Sequence, residues 1–253
     1  MKKTISMMTA VLLLAVAGGT AAASPENGPE RKAEALWDAR EDLRAAKEAA
    51  SAYEGLLATR PDRHEILVRL SRLHCWIGQN LEATDEKKAL AHYRKGREYG
   101  RKAADAAPDL PGGYFFEAAN LAGENRLKGN LPSLLGESVV RKLYEKTAAL
   151  DPDYFYRGPD RFFCALYTKL PSLLGGSTRV AIAHGKRAVA AFPSFAGNRL
   201  RLAEAYAKDG RNDLARKELE AAAAIPDDAL PDVVPEQRLE KRRAAALLRR
   251  IGK

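Results

Sequence analysis

The sequence predicts an all-α protein built from stacked antiparallel helix pairs. Alanine, leucine, lysine, arginine and glutamate, which favour helices most strongly, dominate the chain from Glu30 onward. No segment alternates apolar and polar residues with enrichment in valine, isoleucine and threonine, as a β-strand would. A third observation is that helix endings followed by proline recur along the chain, which is typical of a helical repeat.

The first residues are predicted to be a secretory signal peptide, residues 1–23, and not part of the fold. Two lysines precede an apolar run over residues 7–17, and small residues of the A-x-A type follow it. The alternative is a membrane anchor, but the run is too short to span a bilayer, and no cysteine follows that could carry a lipid. We therefore expect residues 24–253 to be one helical repeat domain in the periplasm or outside the cell.

Prolines mark the predicted corners of the array. They are Pro61, Pro108, Pro152, Pro193 and Pro226. Each should end a helix, because proline lacks an N–H group and crowds the preceding turn. The successive spacings are 47, 44, 41 and 33 residues, and the last matches the tetratricopeptide period of about 34 residues. We therefore predict a tetratricopeptide-like α-solenoid of about five stacked antiparallel helix pairs with extended inter-helix loops.

The last repeat unit defines its helices most clearly. One helix is predicted from Phe195 to Lys208 and the next from Asp213 to Ala224, with Gly210 in the turn between them. The other helices are predicted at 30–58, 65–80, 85–107, 113–127, 138–150, 161–169, 177–191 and 236–251. The helix at 236–251 is basic, so it is expected either to cap the array or to adhere to an anionic membrane surface.

An eight-residue segment occurs twice, at 131–138 and at 170–177. The copies are 39 residues apart and identical at seven of eight positions. Both copies fall between the two helices of a predicted pair. A solvent-exposed loop would not be expected to hold so many leucines, so we predict that both loops fold back over the helices and line a site.

Aromatic and basic residues alternate in the stretch between residues 151 and 176. The aromatic residues are Tyr154, Phe155, Tyr156, Phe162, Phe163 and Tyr167, and the basic ones are Arg157, Arg161 and Lys169. Tyrosine beside arginine is typical of recognition surfaces. The alternative is a hydrophobic seam in which Arg157 and Arg161 pair with Asp151, Asp153 or Asp160.

The net charge limits the class of partner to expect, and the positions of the two cysteines indicate whether a disulfide can form. The formal net charge is +9 and falls to +7 without the two lysines of the signal peptide. This mild excess favours acidic partners or anionic surfaces, whereas nucleic acid is not expected in an exported protein. Cys75 and Cys164 lie in apolar helical stretches far apart, so buried free thiols are predicted over the alternative of a disulfide.

No catalytic, metal or cofactor motif is present in the sequence. The four histidines form no His-Glu-x-x-His pattern, and there is neither a Gly-x-Ser-x-Gly elbow nor a phosphate-binding loop. The sequence therefore predicts a binding protein without a cofactor and not an enzyme.

The segments 150–162 and 169–177 resemble the TRAP transporter T-component family. They share with it an aspartate-proline-tyrosine run, an arginine-phenylalanine pair, a proline and a double glycine. The resemblance implies a periplasmic, tetratricopeptide-like accessory protein that associates with the solute-binding subunit of a TRAP transporter, through oligomers suited to small hydrophobic ligands. The alternative is a general tetratricopeptide adaptor for cell-envelope assembly or secretion. The resemblance and the aromatic stretch together give the candidate ligand or partner site Tyr154, Tyr156, Arg157, Arg161, Phe162, Lys169, Pro171, Gly175 and Gly176.

Overall fold

The computed structural model describes residues 28–60 and 63–251, except for the side chains of residues 130–137. Within these ranges the chain forms eleven α-helices and no strand, which confirms the all-α solenoid. The helices are α1 (Pro29–Asp38), α2 (Leu43–Thr59), α3 (His64–Leu81), α4 (Glu86–Ala106), α5 (Pro111–Leu127), α6 (Asn130–Leu150), α7 (Tyr154–Lys169), α8 (Thr178–Ala191), α9 (Ala196–Lys208), α10 (Asn212–Ala224) and α11 (Val234–Ile251). Two short 3₁₀ helices lie at Ser172–Leu174 and Pro231–Val233. None of the described helices is both long enough and apolar enough to cross a bilayer.

The helices stack as in a repeat array. Neighbours in sequence pack against each other, and the alternate helices α3, α5, α7 and α9 also touch in succession. Fully buried alanines such as Ala203, Ala215 and Ala222 let helices in the last units approach closely. Cys75 and Cys164 are buried free thiols in separate clusters of the core.

Four of the five prolines lie at corners of the array, as predicted. Pro108, Pro152, Pro193 and Pro226 each follow the last residue of a helix by two positions, after α4, α6, α8 and α10. The fifth, Pro61, lies outside the described residues, as does the predicted signal peptide.

The single helix predicted at 30–58 is wrong, because the chain forms α1 and α2 there. The break falls between Asp38 and Leu43. Asp42 caps α2, since its carboxylate accepts hydrogen bonds from the backbone N–H groups of Arg44 (2.8 Å) and Ala45 (2.9 Å). These acceptors satisfy donors that would otherwise lack partners at a helix start.

The prediction that both copies of the repeated segment are loops is also wrong. The first copy belongs to α6, which begins at Asn130 and not near residue 138. Gly129 turns the chain at a φ of 87°, and Pro132 lies in the first turn, where its missing N–H is not needed. The second copy is a loop, yet it does not fold over the helices, because Leu173 is 99% exposed.

Helix α11 connects the two ends of the array. It packs on α9 and α10, and its first turn reaches the N-terminal helices. There Glu236 accepts hydrogen bonds from Arg40 (2.8 Å) and Arg72 (2.7 Å). Burial alone would raise the pKa of Glu236, but the two arginines outweigh it and hold that pKa below its usual value. The carboxylate therefore stays charged and ties the C-terminal helix to the first repeat.

Candidate binding site

Helix α7 begins with a left-handed turn. Phe155, Tyr156 and Arg157 have φ values of 50°, 57° and 59°, and the right-handed helix follows from Gly158. A left-handed conformation costs a residue with a side chain about 1–2 kcal/mol. Three such residues in a row therefore need specific partners around them.

Arg161 provides those partners. Its Nη1 donates to the carbonyl of Tyr156 and to Oδ1 of Asn198, both at 3.0 Å, and its Nη2 donates to the carbonyl of Phe155 at 3.1 Å. The guanidinium also lies 4.6 Å from the ring centre of Phe195. Burial lowers the pKa of Arg161 to about 10. Arg161 thus fixes the turn and forms no salt bridge with a described carboxylate, unlike in the predicted seam.

The aromatic residues of the stretch form a seam with α5, α6 and Phe195, the residue that precedes α9. Tyr156 stacks on Phe195 with ring centres 5.2 Å apart, and Phe162 stacks on Tyr144 at 4.0 Å. Tyr154 meets the edge of Phe115 at 5.3 Å. Tyr154, Tyr156 and Phe162 are nevertheless only partly buried, so each keeps a face toward solvent.

Asp160 joins α7 to α8. Its carboxylate accepts hydrogen bonds from Nη2 of Arg187 (2.9 Å) and Nδ1 of His184 (2.7 Å), both on α8. Arg157 forms ion pairs with Asp160 (3.2 Å) and Asp153 (2.6 Å), which are two of its predicted partners. Burial favours the neutral acid, but the bonds from His184 and Arg187 outweigh it and hold the pKa of Asp160 below its usual value.

The remaining predicted residues lie at the other end of α7. Lys169 is its last residue, and Pro171 begins the loop to α8. Gly175 has a φ of 88°, and a Cβ on Gly176 would lie 1.8 Å from the carbonyl oxygen of Leu170. Only glycine fits at position 176 in this conformation of the loop.

The structure therefore divides the predicted site into two groups. The turn group is Tyr154, Tyr156, Arg157, Arg161 and Phe162, and the loop group is Lys169, Pro171, Gly175 and Gly176. At about 1.5 Å per residue, the seven residue steps from Phe162 to Lys169 separate the nearest members of the two groups by about 10 Å along α7. The turn group mainly positions backbone and aromatic rings, whereas the loop group is largely exposed.

Sequence reasoning missed a cluster of charges on α9 and α11. Arg201 on α9 bonds to Glu204 at 2.8 Å and reaches Glu240 on α11 at 3.4 Å. Arg243 bonds to the same Glu240 at 2.7 Å. Isolated charges on helices usually mark solvated faces, and only the fold brings α9 and α11 together.

An open groove of about 710 Å³ lies elsewhere, between α1 and α2. Apolar residues such as Leu36 and Leu56 line it, with Lys32 and Lys47 among its polar residues. None of the predicted site residues borders this groove. Among the described residues, no group of histidine, cysteine, aspartate or glutamate is arranged to hold a metal ion.

The fold is similar to that of a solved repeat protein. A crystal structure of a thermophilic TPR protein from Thermus thermophilus matches with a TM-score of 0.63 and 20% identity, over 87% of this chain and 100% of that one. At that identity the likeness shows the fold alone. No curated protein matches the chain significantly.

A family model matches the half of the chain that carries both residue groups and the charge cluster. The model is the TRAP transporter T-component, and it covers residues 125–252, from the end of α5 through α11. The turn, the loop and the closing helix all fall within it. The chain belongs to the TRAP transporter T-component family.

Proposed function

We propose that the protein is a non-enzymatic accessory subunit of a TRAP-type uptake system. In this role it is exported to the periplasm and associates with the solute-binding subunit. The observation that carries the proposal is the family match over residues 125–252. The helical repeat supports it as well, since such arrays present extended surfaces to protein partners.

The partner contact is proposed at the loop between α7 and α8. Leu173 is 99% exposed and Leu174 is 53% exposed, although leucine is usually buried. A hydrogen bond from the N–H of Ser177 to the carbonyl of Tyr167 (3.0 Å) closes the loop, and a side chain at position 176 would collide with the carbonyl of Leu170. A fixed, exposed apolar residue loses little entropy when a partner covers it. Pro171, Gly175 and Gly176 act here by shaping the loop.

The experiment is binding of the mature chain to a purified TRAP solute-binding subunit from the same organism, measured by calorimetry. The Leu173→Ser, Leu174→Ser double variant should weaken binding at least about tenfold, as expected for an apolar anchor. Leu110→Ser is the matched control, because Leu110 is 46% exposed and lies outside the matched region. It should leave binding unchanged.

Three results would contradict the proposal. One is the absence of binding to the solute-binding subunit by the unaltered chain. Another is an equal loss in the Leu110→Ser control. The third is capture by crosslinking in intact cells of envelope-assembly proteins instead of a solute-binding subunit, which would favour the general adaptor.

A further inference from the structure

Two histidines face each other inside the N-terminal half of the array. His74 lies on α3 and His92 on α4, and their Nδ1 atoms are 2.9 Å apart. The side chain of His74 is only 3% exposed. At this distance the two nitrogens share one hydrogen, because one must donate and the other must accept. The bond between α3 and α4 therefore depends on how many protons the two rings carry.

Glu54 on α2 determines which nitrogen of His74 carries a hydrogen. Its carboxylate lies 3.6 Å from Nε2 of His74, and this buried Nε2 has no hydrogen-bond partner among the described residues. The same carboxylate pairs with Lys95 (2.5 Å) and accepts a hydrogen bond from Tyr99 (3.1 Å), whose ring stacks on His74. A carboxylate attracts an N–H group and repels a lone pair. Nε2 of His74 therefore carries the hydrogen, and its Nδ1 accepts from Nδ1 of His92.

The contact limits how many protons the pair can bind. The two rings have four nitrogens, and only three can carry hydrogen while the Nδ1 atoms stay bonded, so one extra proton fits but not two. Burial, and then the charges of His92 and Lys95, lower the pKa of His74 to about 4. Burial, and then the charges of Lys47 and Lys95, also lower the pKa of His92. Helix α5 packs on α3 as well, where its uncharged Asn120 bonds to the turn before His74.

We infer that the His74–His92 contact is a pH-sensitive joint that holds α4 against α3 near neutral pH and releases it locally in mild acid. Neutral rings close the joint, so its stabilisation is complete above the ordinary histidine pKa of about 6.5 and is lost as the pH falls below it. Each pH unit below about 6.5 favours the open form about tenfold for every excess proton that it binds. Tyr93 follows His92 on α4 and packs on Gly78, one turn after Cys75 on α3, so release of α4 uncovers Cys75.

The test compares the labelling rates of the two cysteines by 4,4′-dithiodipyridine between pH 7 and 5, resolved by mass spectrometry. Cys75 is 6% exposed and belongs to the N-terminal core cluster, whereas Cys164 is fully buried in the C-terminal one. Cys164 is thus an internal reference for the pH dependence of the reagent. The ratio of the Cys75 rate to the Cys164 rate should rise at least about tenfold over this range, while circular dichroism shows that the helices persist.

His92→Gln should abolish the rise and keep the ratio within about twofold, because an amide can donate and accept a hydrogen bond but binds no proton in this range. His74→Gln makes the same prediction from the other helix and keeps the test valid if one variant does not fold. His64→Gln is the matched control, since His64 is also on α3 but its Nδ1 contacts the carbonyl of Ala103 (3.0 Å). It should retain the full rise.

Three results would overturn the inference. The first is a constant ratio between pH 7 and 5 in the unaltered chain, including equal acceleration at both cysteines, which means general unfolding. The second is a rise that persists in both His92→Gln and His74→Gln. The third is an equal loss of the rise in His64→Gln. The isolated mature chain suffices for these measurements, so their outcome is independent of the proposed association with a solute-binding subunit.

Discussion

Two neighbouring helix pairs carry nearly the same eight residues and use them differently. In the α5/α6 pair the segment 131–138 lies within α6. In the α7/α8 pair the segment 170–177 is a loop with one 3₁₀ turn. The seven shared residues therefore do not determine the conformation by themselves.

The difference lies at the one unlike position and in the flanking residues. Glu137 of the first copy corresponds to Gly176 of the second, and a Cβ at Gly176 would collide with the carbonyl of Leu170. Upstream, α5 ends at Leu127 and Gly129 has a φ of 87°, while Thr168, which matches Gly129, continues α7. A glutamate at this position is therefore incompatible with the loop conformation. Because α5 ends before Gly129, the first copy can form the start of the next helix.

The first pair also lacks the left-handed turn. The position 39 residues before Arg161 is Ala122, which lies within the regular helix α5. The α7/α8 pair is therefore specialised at both ends, with an arginine that holds the turn and a glycine that shapes the loop. Substitutions at these positions test which features make the two pairs different.

The largest effect is expected for Arg161→Met. The variant leaves two carbonyls and Asn198 without their donor and releases the left-handed turn. We expect the free energy of unfolding to fall by about 3–5 kcal/mol, the range for breaking a buried charged network. Denaturant unfolding followed by circular dichroism measures it.

The control is Arg199→Met, which removes another half-buried arginine. Arg199 pairs with Glu218 at 2.8 Å, and its side chain is 20% exposed. Its loss should cost only about 1 kcal/mol, because no strained turn depends on it. Equal losses in the two variants would show that the turn does not need Arg161.

Gly176→Glu should have the next largest effect, since it gives the second copy the residue of the first. The new Cβ would lie 1.8 Å from the carbonyl oxygen of Leu170. The loop must therefore change shape, at a cost of about 3 kcal/mol. The midpoint of denaturant unfolding reports this loss.

The Gly175→Ala variant measures the stability cost of an unfavourable backbone conformation alone, without the steric collision expected at position 176. Gly175 has a φ of 88°, but nothing lies within 4 Å of a Cβ there. Its substitution should cost about 1 kcal/mol through the unfavourable φ alone. A Gly176→Glu variant no less stable than Gly175→Ala would refute the collision argument.

The sequence predicted most helices because their signals are local. Prolines after α4, α6, α8 and α10 and the glycine turn at Gly210 act within a few residues. The break between α1 and α2 also has a local signal, the helix cap Asp42, but the prediction missed it because the surrounding residues favour helix. The start of α6 was missed because the repeated segment was treated as one structure, whereas Gly129 lies outside it.

The closure by α11 and the charge cluster could not be predicted. Glu236 bonds to Arg72 and Arg40, which precede it by 164 and 196 residues. No local pattern specifies such contacts. The candidate residues on α7 were selected from the sequence as a distinctive stretch, and only the fold shows that Arg161 supports a turn whereas Lys169 ends the helix.

Asp160→Asn should have an intermediate effect and a distinct pH dependence. The matching position in the first pair is Leu121, so this polar link between helices is particular to α7 and α8. We expect a loss of about 2 kcal/mol near neutral pH, as for a charged hydrogen-bonding partner. Thermal and denaturant unfolding between pH 3 and 7 would measure it.

The direction of the pH dependence follows from the pKa of Asp160, which the folded state holds below its ordinary value of 3.8. The unfolded chain binds the proton first, so the stabilisation is complete above about 3.8 and is lost as the pH falls through the folded value. The stability curves of the two proteins should therefore converge in acid. Asp153→Asn is the control, because that carboxylate is 54% exposed. Parallel curves for Asp160→Asn and the unaltered chain would contradict this account.

The smallest effect is expected for Glu137→Gly, which makes the two eight-residue copies identical. If the flanking residues decide the outcome, α6 still starts after Gly129, and the substitution costs only the lower helix propensity of glycine, about 1 kcal/mol. The far-ultraviolet circular dichroism should then keep nearly all of its helical signal. Loss of helix equivalent to about two turns would instead mean that the single unlike residue decides between helix and loop. Since Gly176→Glu changes the same position in the opposite direction, the two variants together separate the contribution of that residue from the contribution of its surroundings.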